Sequence, residues 1–171
     1  MSIEIKTLTM HHPYVEGLGK LLIEATANGA SISFMHPLAH NKAAAFWHHA
    51  LAEADNGYQF VFGAFDRSQL VGTVTLCPVR KENQPHRAEI FKLIVAKSHR
   101  RRGIGKMLMD TAEDKARELG KTVLVLDTTT GSAASKLYEK EGWVSAGIIP
   151  DHAFLPNGRL SDTTIYWKKI G

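Results

Sequence analysis

The sequence predicts a mixed α/β fold, a sheet with helices packed against it, in the order β-α-α-β-β-β-α-β-α-β-β. Three observations lead there. Short apolar runs of strand character are interspersed with longer stretches of helical periodicity. The helical stretch between Val95 and Thr122 is long enough for a crossover joining parallel strands. No internal repeat, low-complexity segment or linker interrupts the 171 residues, the size of one ordinary domain, so residues 1–171 are read as a single unit.

Ile3–Leu8 alternates apolar and polar residues and reads as the first strand. From Tyr14 to Ala27, Leu18, Leu21, Leu22 and Ala25 fall at helical spacing, and Asn28-Gly29 is a stop. Ser31–His40, with Pro37 inside it, is irregular. Asn41 can cap a second helix running to about Ala54. Gln59–Phe65 and Leu70–Leu76 are strand-like runs joined by Asp66-Arg67-Ser68-Gln69, a hairpin. Lys81–Pro85 is a polar loop and Arg87–Val95 another strand. Ile104, Leu108, Ala112, Ala116 and Leu119 then lie near one helical face, closed by Gly120. Thr122–Leu126 is a continuous apolar run, as in a strand buried on both faces. A short helix, Ala133–Glu141, stops at Gly142. Trp143–Ile149 and Thr163–Lys168 supply the last strands around a Pro/Asn/Gly loop.

Composition narrows the class. Hydrophobic residues make up 44% and charged residues 22%, the balance of a globular protein. The single cysteine, Cys77, excludes an internal disulfide framework and suits a reducing cytoplasm. No stretch approaches the roughly 20 apolar residues that span a bilayer. The start, Met1-Ser2-Ile3-Glu4, lacks the basic and apolar segments of a signal peptide. The net charge of +4 is local: without Arg100, Arg101, Arg102 and Lys106, basic and acidic side chains balance at 17 each. A compact polyanion such as a nucleotide cofactor fits that concentration better than an extended nucleic-acid footprint; the alternative is a solvated basic loop. Interleaved aromatics that would stack on bases are missing around Arg100, so no nucleic-acid partner and no membrane partner are expected.

The segment Leu93-Ile94-Val95-Ala96-Lys97-Ser98-His99-Arg100-Arg101-Arg102-Gly103-Ile104-Gly105-Lys106 reads as strand, basic glycine-containing loop, then helix. The first turn of a helix has free N–H groups and the positive end of the dipole, which suit phosphate. Glycine lets the backbone curve closely around a diphosphate, and arginine adds fork-shaped donors. The Walker-type loop is excluded because Met107 follows Gly105-Lys106; the dinucleotide fingerprint is excluded because position 108 is Leu. Arg100-x-x-Gly103-x-Gly105 remains.

That motif, followed by Met107-Leu108-Met109, resembles motif A of the GNAT acetyltransferase superfamily. About 30 residues on, Leu137-Tyr138-Glu139-Lys140-Glu141-Gly142-Trp143 resembles the superfamily's Leu-Tyr-x-x-x-Gly-aromatic signature. Asn28–Met35, Arg87-Ala88-Glu89, Leu126-Asp127-Thr128 and the tail from Pro156 resemble the tabtoxin-resistance acetyltransferases within it. The resemblance implies a central, mixed, mostly antiparallel seven-stranded sheet with helices on both faces. It also implies acetyl-CoA as cosubstrate, transfer of its acetyl group to the primary amine of a small molecule, such as an amino-acid-like toxin or antibiotic, and no metal. The histidine pairs His11-His12 and His48-His49 have no metal-like partners at set spacing, in agreement with that last point. A peptide or protein N-acetyltransferase and a non-catalytic CoA-binding sensor are the competing readings, and a monomer and a homodimer are both allowed.

A lysine-like amine has a pKa of about 10.4, so freeing its lone pair at neutral pH costs on the order of 4–5 kcal/mol. Transfer therefore needs a base for the amine, N–H donors for the thioester carbonyl and an acid for the departing thiolate. By the resemblance, Tyr138 is the acid beside the sulfur; otherwise it is a core tyrosine. Glu89 and Asp127 are the candidate bases. Glu89 is expected to share a strand face with Phe91, Leu93 and Val95, its alternative being an edge carboxylate paired with Arg87 or Lys92. Asp127 would lie at the end of its strand, where α/β sheets place ligands, its alternative being a turn opening Thr128–Gly131. Leu93, Ile94 and Val95 are expected to pair the pantetheine arm as an added strand would, and Arg100 to Lys106, Ile104 included, to hold the diphosphate. The family's usual asparagine before the Tyr-bearing helix is replaced here by Gly131-Ser132-Ala133-Ala134. Ser132 is the partial substitute, with Ser135 also at the cofactor. Phe34, Met35, Thr128 and Thr129 are the expected acceptor contacts.

Overall fold

The protein is described here from a computed structural model covering residues 2–171; Met1, read above with the N-terminus, lies outside the described residues. In chain order the elements are β1 (Ile3–Leu8), α1 (His12–Ala27), α2 (His40–Asp55), β2 (Phe60–Asp66), β3 (Gln69–Pro78), β4 (Arg87–Val95), a short 3-10 turn (Lys97–His99), α3 (Ile104–Glu118), β5 (Val123–Thr129), α4 (Ala133–Lys140), β6 (Val144–Phe154) and β7 (Leu160–Lys169). The seven strands form one sheet in the order β1-β2-β3-β4-β5-β7-β6. Only β4 and β5 run parallel, joined by the predicted crossover through α3; every other neighbouring pair is antiparallel.

The inner strands carry unbroken buried runs, Val61–Phe65 and Val71–Leu76, so helices cover the sheet on both faces. Leu18 and Leu22 of α1 and Trp47 and Leu51 of α2 are fully enclosed on one side. Leu108, Ala112 and Ala116 of α3 are fully enclosed on the other. Burying each leucine side chain contributes roughly 2 kcal/mol relative to leaving it in water. Gly72 sets how close α3 lies: a Cβ there would stand 3.1 Å from Leu108 Cδ1 and 3.3 Å from Ile104 Cγ2.

Several boundaries differ from expectation: α1 begins at His12, β6 runs on to Phe154 and β7 starts at Leu160. The second helix starts at His40 with Ala39 as its N-cap, and the Asn41 side chain accepts from the Lys42 N–H instead of capping. The strand expected to end at Leu126 continues to Thr129, because Asp127, Thr128 and Thr129 stay paired with Ile165, Thr164 and Thr163 of β7. Asp127 therefore stands in a strand and opens no turn.

Candidate active site

The parallel seam between β4 and β5 closes for only three residues, Arg87–Glu89 against Val123–Val125. Beyond it each strand follows its other neighbour and the two part. Past Glu89, β4 keeps only the β3 side of its backbone paired. A bulge bends it there. Thr75 pairs with Phe91 and Thr73 with Ile94, so β4 carries one extra residue, and Lys92 sits in the left-handed region at φ 53°.

The bulge corrects one expectation. Alternation along β4 predicts that Glu89, Phe91, Leu93 and Val95 share a face. In the structure Val95 pairs with Gly72, on the α3 side, whereas Glu89 and Phe91 pair with Cys77 and Thr75 on the α2 side. The extra residue at Lys92 reverses the alternation, so Leu93 and Val95 lie opposite Glu89.

At the far end of the parted seam the chain turns into α3. The 3-10 turn is anchored by Lys97 N–H to Glu24 Oε2 at 3.0 Å and by His99 Nε2 to Asp66 Oδ2 at 3.2 Å. Arg101 and Gly103 are both left-handed, at φ 60° and 76°. Gly103 is the N-cap of α3, no side chain caps that helix, and a Cβ on Gly103 would meet nothing within 4 Å. The first-turn N–H groups, from Ile104 on, thus head a helix that no side chain caps. Gly105 acts differently: a Cβ there would lie 3.2 Å from Leu137 Cδ2, so its bareness lets α4 pack against α3. Arg100 Nε donates to Val95 O at 3.3 Å, over the end of β4, and Arg102 is exposed. Lys106 reaches sideways to Asp110 (2.8 Å) and Glu141 (3.1 Å), leaving its backbone at the turn.

Across the seam, α4 carries Tyr138. Ser132 caps α4 by accepting from Ser135 N at 3.1 Å, and Ser135 Oγ donates to Ser132 O at 2.7 Å, so both serines hold the helix end. Ser132 Oγ also lies 3.3 Å from Thr128 Oγ1. Tyr138 is buried with its ring 5.9 Å from Trp143 and 6.0 Å from Tyr166. Burial, and then the negative charge of Asp127, hold its phenol well above the usual range. It therefore keeps its proton at neutral pH.

Asp127 is exposed at the wall of a cavity of about 290 Å³. That cavity brings together Phe34 and Met35, Thr128 and Thr129, and also Ser33, His152 and Phe154. Its rim is tied across the chain by His36 N–H to Pro156 O at 3.1 Å. Glu89 is placed apart: it pairs with Arg87 at 2.7 Å, the alternative left open by the sequence, and its charge joins burial in raising the Cys77 thiol. Two residues at this site escape sequence reasoning, Lys92 and His152. A charge interrupting the apolar run Ile90–Val95 is the signal that Lys92 offers; His152 offers none.

Comparison with known proteins agrees with this fold. The profile of the Acetyltransferase (GNAT) family matches residues 23–143. N-acetyltransferase 8F1 of Rattus norvegicus is 30% identical over 127 residues, 71% of this chain and 52% of that protein. N-acetyltransferase 8 of Homo sapiens is 35% identical over 86 residues, 49% of this chain and 38% of that protein. The chain thus spans about half, or less, of the length of the curated relatives it matches. Among solved structures, ribosomal-protein-alanine N-acetyltransferase from Brucella melitensis superposes with a TM-score of 0.82 at 24% identity, covering 97% of this chain and 99% of that one. The Salmonella typhimurium protein yncA, solved with its cofactor acetyl-CoA, gives 0.80 at 19% identity, covering 99% and 94%. At these identities the likeness is one of fold. Among the described residues no helix is long and apolar enough to cross a membrane.

Proposed function

The chain belongs to the acetyltransferase (GNAT) family, and on that premise we propose that it moves an acetyl group from acetyl-CoA to the primary amine of a small, amino-acid-like molecule in the cytoplasm, by direct attack in a ternary complex. One observation carries the reading: a parted β4–β5 seam runs from an uncapped helix mouth to a cavity holding Asp127, whose charge acts on the buried Tyr138 phenol. The residues fit the cosubstrate. The edge of β4 at Leu93–Val95, which no strand pairs and where Arg100 Nε meets Val95 O, suits the pantetheine amides, and the turn Arg100–Lys106 suits the diphosphate. Acetyl-CoA, when bound, supplies the acetyl group as a thioester.

The chain's own groups do the rest. Asp127, open to the cavity, takes a proton from the acceptor ammonium. Glu89 is the second carboxylate and acts from a distance through water, tethered as it is by Arg87. Tyr138, kept protonated, gives its proton to the departing sulfur. Phe34, Met35, Thr128 and Thr129 line the acceptor's place.

Thiol release from acetyl-CoA, measured across amines, amino acids and short peptides, tests this. Turnover with small amines is expected. A peptide N-terminus is the second acceptor to try, because Met35 and Phe154, 46% and 56% exposed, leave the cavity mouth open. Tight acetyl-CoA binding with no thiol release from any acceptor would instead make the protein a CoA-binding sensor.

A further inference from the structure

Lys92 is the least expected side chain on β4. A regular strand would send it to the α3 side with Ile90, which pairs with Leu76 there. The bulge, with a lysine in the left-handed region, turns it to the other side. Backbone strain of this kind persists only where surrounding structure holds it, and it clusters where a side chain is being aimed. Here Nζ donates to Ser33 Oγ at 3.1 Å, on the cavity wall, and lies 5.5 Å from the centre of the Phe46 ring.

The ammonium is half-buried, yet among the described residues no carboxylate pairs with it; its hydrogen-bond partner is the neutral Ser33 hydroxyl. Burial lowers Lys92 from the usual amine range, and Asp127 offsets that only in part. A half-buried ammonium whose hydrogen-bond partner is a neutral hydroxyl keeps donor capacity for an anion. The surroundings point the same way. Lys42 Nζ stands 6.0 Å from the Phe34 ring, and Phe34 meets Phe46 edge-on at 5.3 Å. His152 faces the same cavity, and Asp127 is the acid there. Lys92 itself lines a second cavity on the α2 side, with His49 and Glu53, and its Nζ reaches the Asp127 cavity at Ser33.

We propose that Lys92 is a specificity-determining residue of the acceptor site: its ammonium binds a carboxylate of the acceptor while Asp127 receives the amine. The site then selects amines that also carry an anionic group. The inference rests on the transferase reading above and names its substrate class.

The test uses the full chain and matched acceptors, an amino acid and its carboxamide, with thiol release as readout. The wild-type protein should favour the acid. In Lys92→Met the ratio of kcat/KM for acid over amide should fall by about 10- to 100-fold, mostly through KM, the effect of losing one charge-assisted hydrogen bond. Lys92→Arg, which keeps the charge, should restore part of the ratio. A purely structural tie between Lys92 and Ser33 would lower both acceptors alike in both variants, and that result overturns the proposal. So does a wild-type protein that prefers the amide. Absence of turnover with every amine would sink the transferase reading and this one together, whereas turnover with an unmoved ratio would sink only the role of Lys92.

Discussion

Strand β5 has two neighbours and is joined to them in opposite ways. Against β7 it stays paired from Val123 through Thr129; against β4 it lets go after Val125. On the β7 side each residue from Val123 to Thr129 has a partner in β7, Leu124 and Tyr166 are buried, and the Tyr166 hydroxyl donates to Glu139 at 2.8 Å. On the β4 side no strand pairs β5 past Val125, between a helix mouth and a cavity. On the proposed reading, the closed seam carries stability and the open one carries chemistry. The lesson is that a sheet makes a binding slot by leaving a pairing unmade, which leaves hydrogen-bonding capacity for a ligand.

Substitutions can break this contrast. The largest effect is expected at Gly103, whose left-handed φ a β-branched residue resists. Gly103→Val should weaken acetyl-CoA binding by about 100-fold or more, the mouth being remodelled by some 2–3 kcal/mol, while circular dichroism stays unchanged. Calorimetry that finds the same affinity would detach the turn from the cofactor. Next come the proton carriers. Tyr138→Phe and Asp127→Asn should each lower kcat by about 100- to 10,000-fold with acetyl-CoA affinity kept. Glu89→Gln should cost clearly less, since Arg87 already holds that carboxylate away from the cavity. An equal loss at Glu89 would redraw the site around the seam's closed end.

Two smaller effects separate packing from catalysis. Gly105→Ala brings a methyl to 3.2 Å from Leu137, a flexible side chain that can give. A loss of about 1 kcal/mol is expected, read as a melting point lower by a few degrees. Tyr166→Phe, on the closed seam, removes the bond to Glu139 and should lower stability by about 1 kcal/mol while leaving kcat nearly unmoved. A large drop in kcat there would erase the division between the seams. The pH profile sharpens the same point. Because Tyr138 titrates above the ordinary phenol value of about 10, rising pH should not strip its proton below that value.

Much of the framework was legible because its signals are local. Gly29, Gly120 and Gly142 stop helices and carry positive φ, and Arg100-x-x-Gly103-x-Gly105 stands between strand and helix where expected. The bulge at Lys92 was not legible. Phe91, Lys92 and Leu93 have nothing of turn chemistry; the extra residue exists only in the relation of β4 to Thr73–Thr75 of β3. That one register shift misassigned the face of Glu89 and concealed Lys92. Asp127 was placed at the right end of the sheet but read as a strand terminus, because pairing with β7, remote in sequence, is what extends β5 to Thr129. The roles of Ser132 and Ser135 divide similarly: their position before Tyr138 was visible, their mutual capping bonds were not.

The backbone bond from His36 to Pro156 has a consequence for biosynthesis. Every residue of the Arg100–Lys106 turn has been synthesised before β5 begins, whereas the wall around Asp127 waits for His152, Phe154 and Thr163. On the proposed reading, a nascent chain emerging from the ribosome therefore completes the sequence of its nucleotide turn long before that of the vessel for the amine. A polypeptide halted before residue 150 would lack three residues of that vessel's wall.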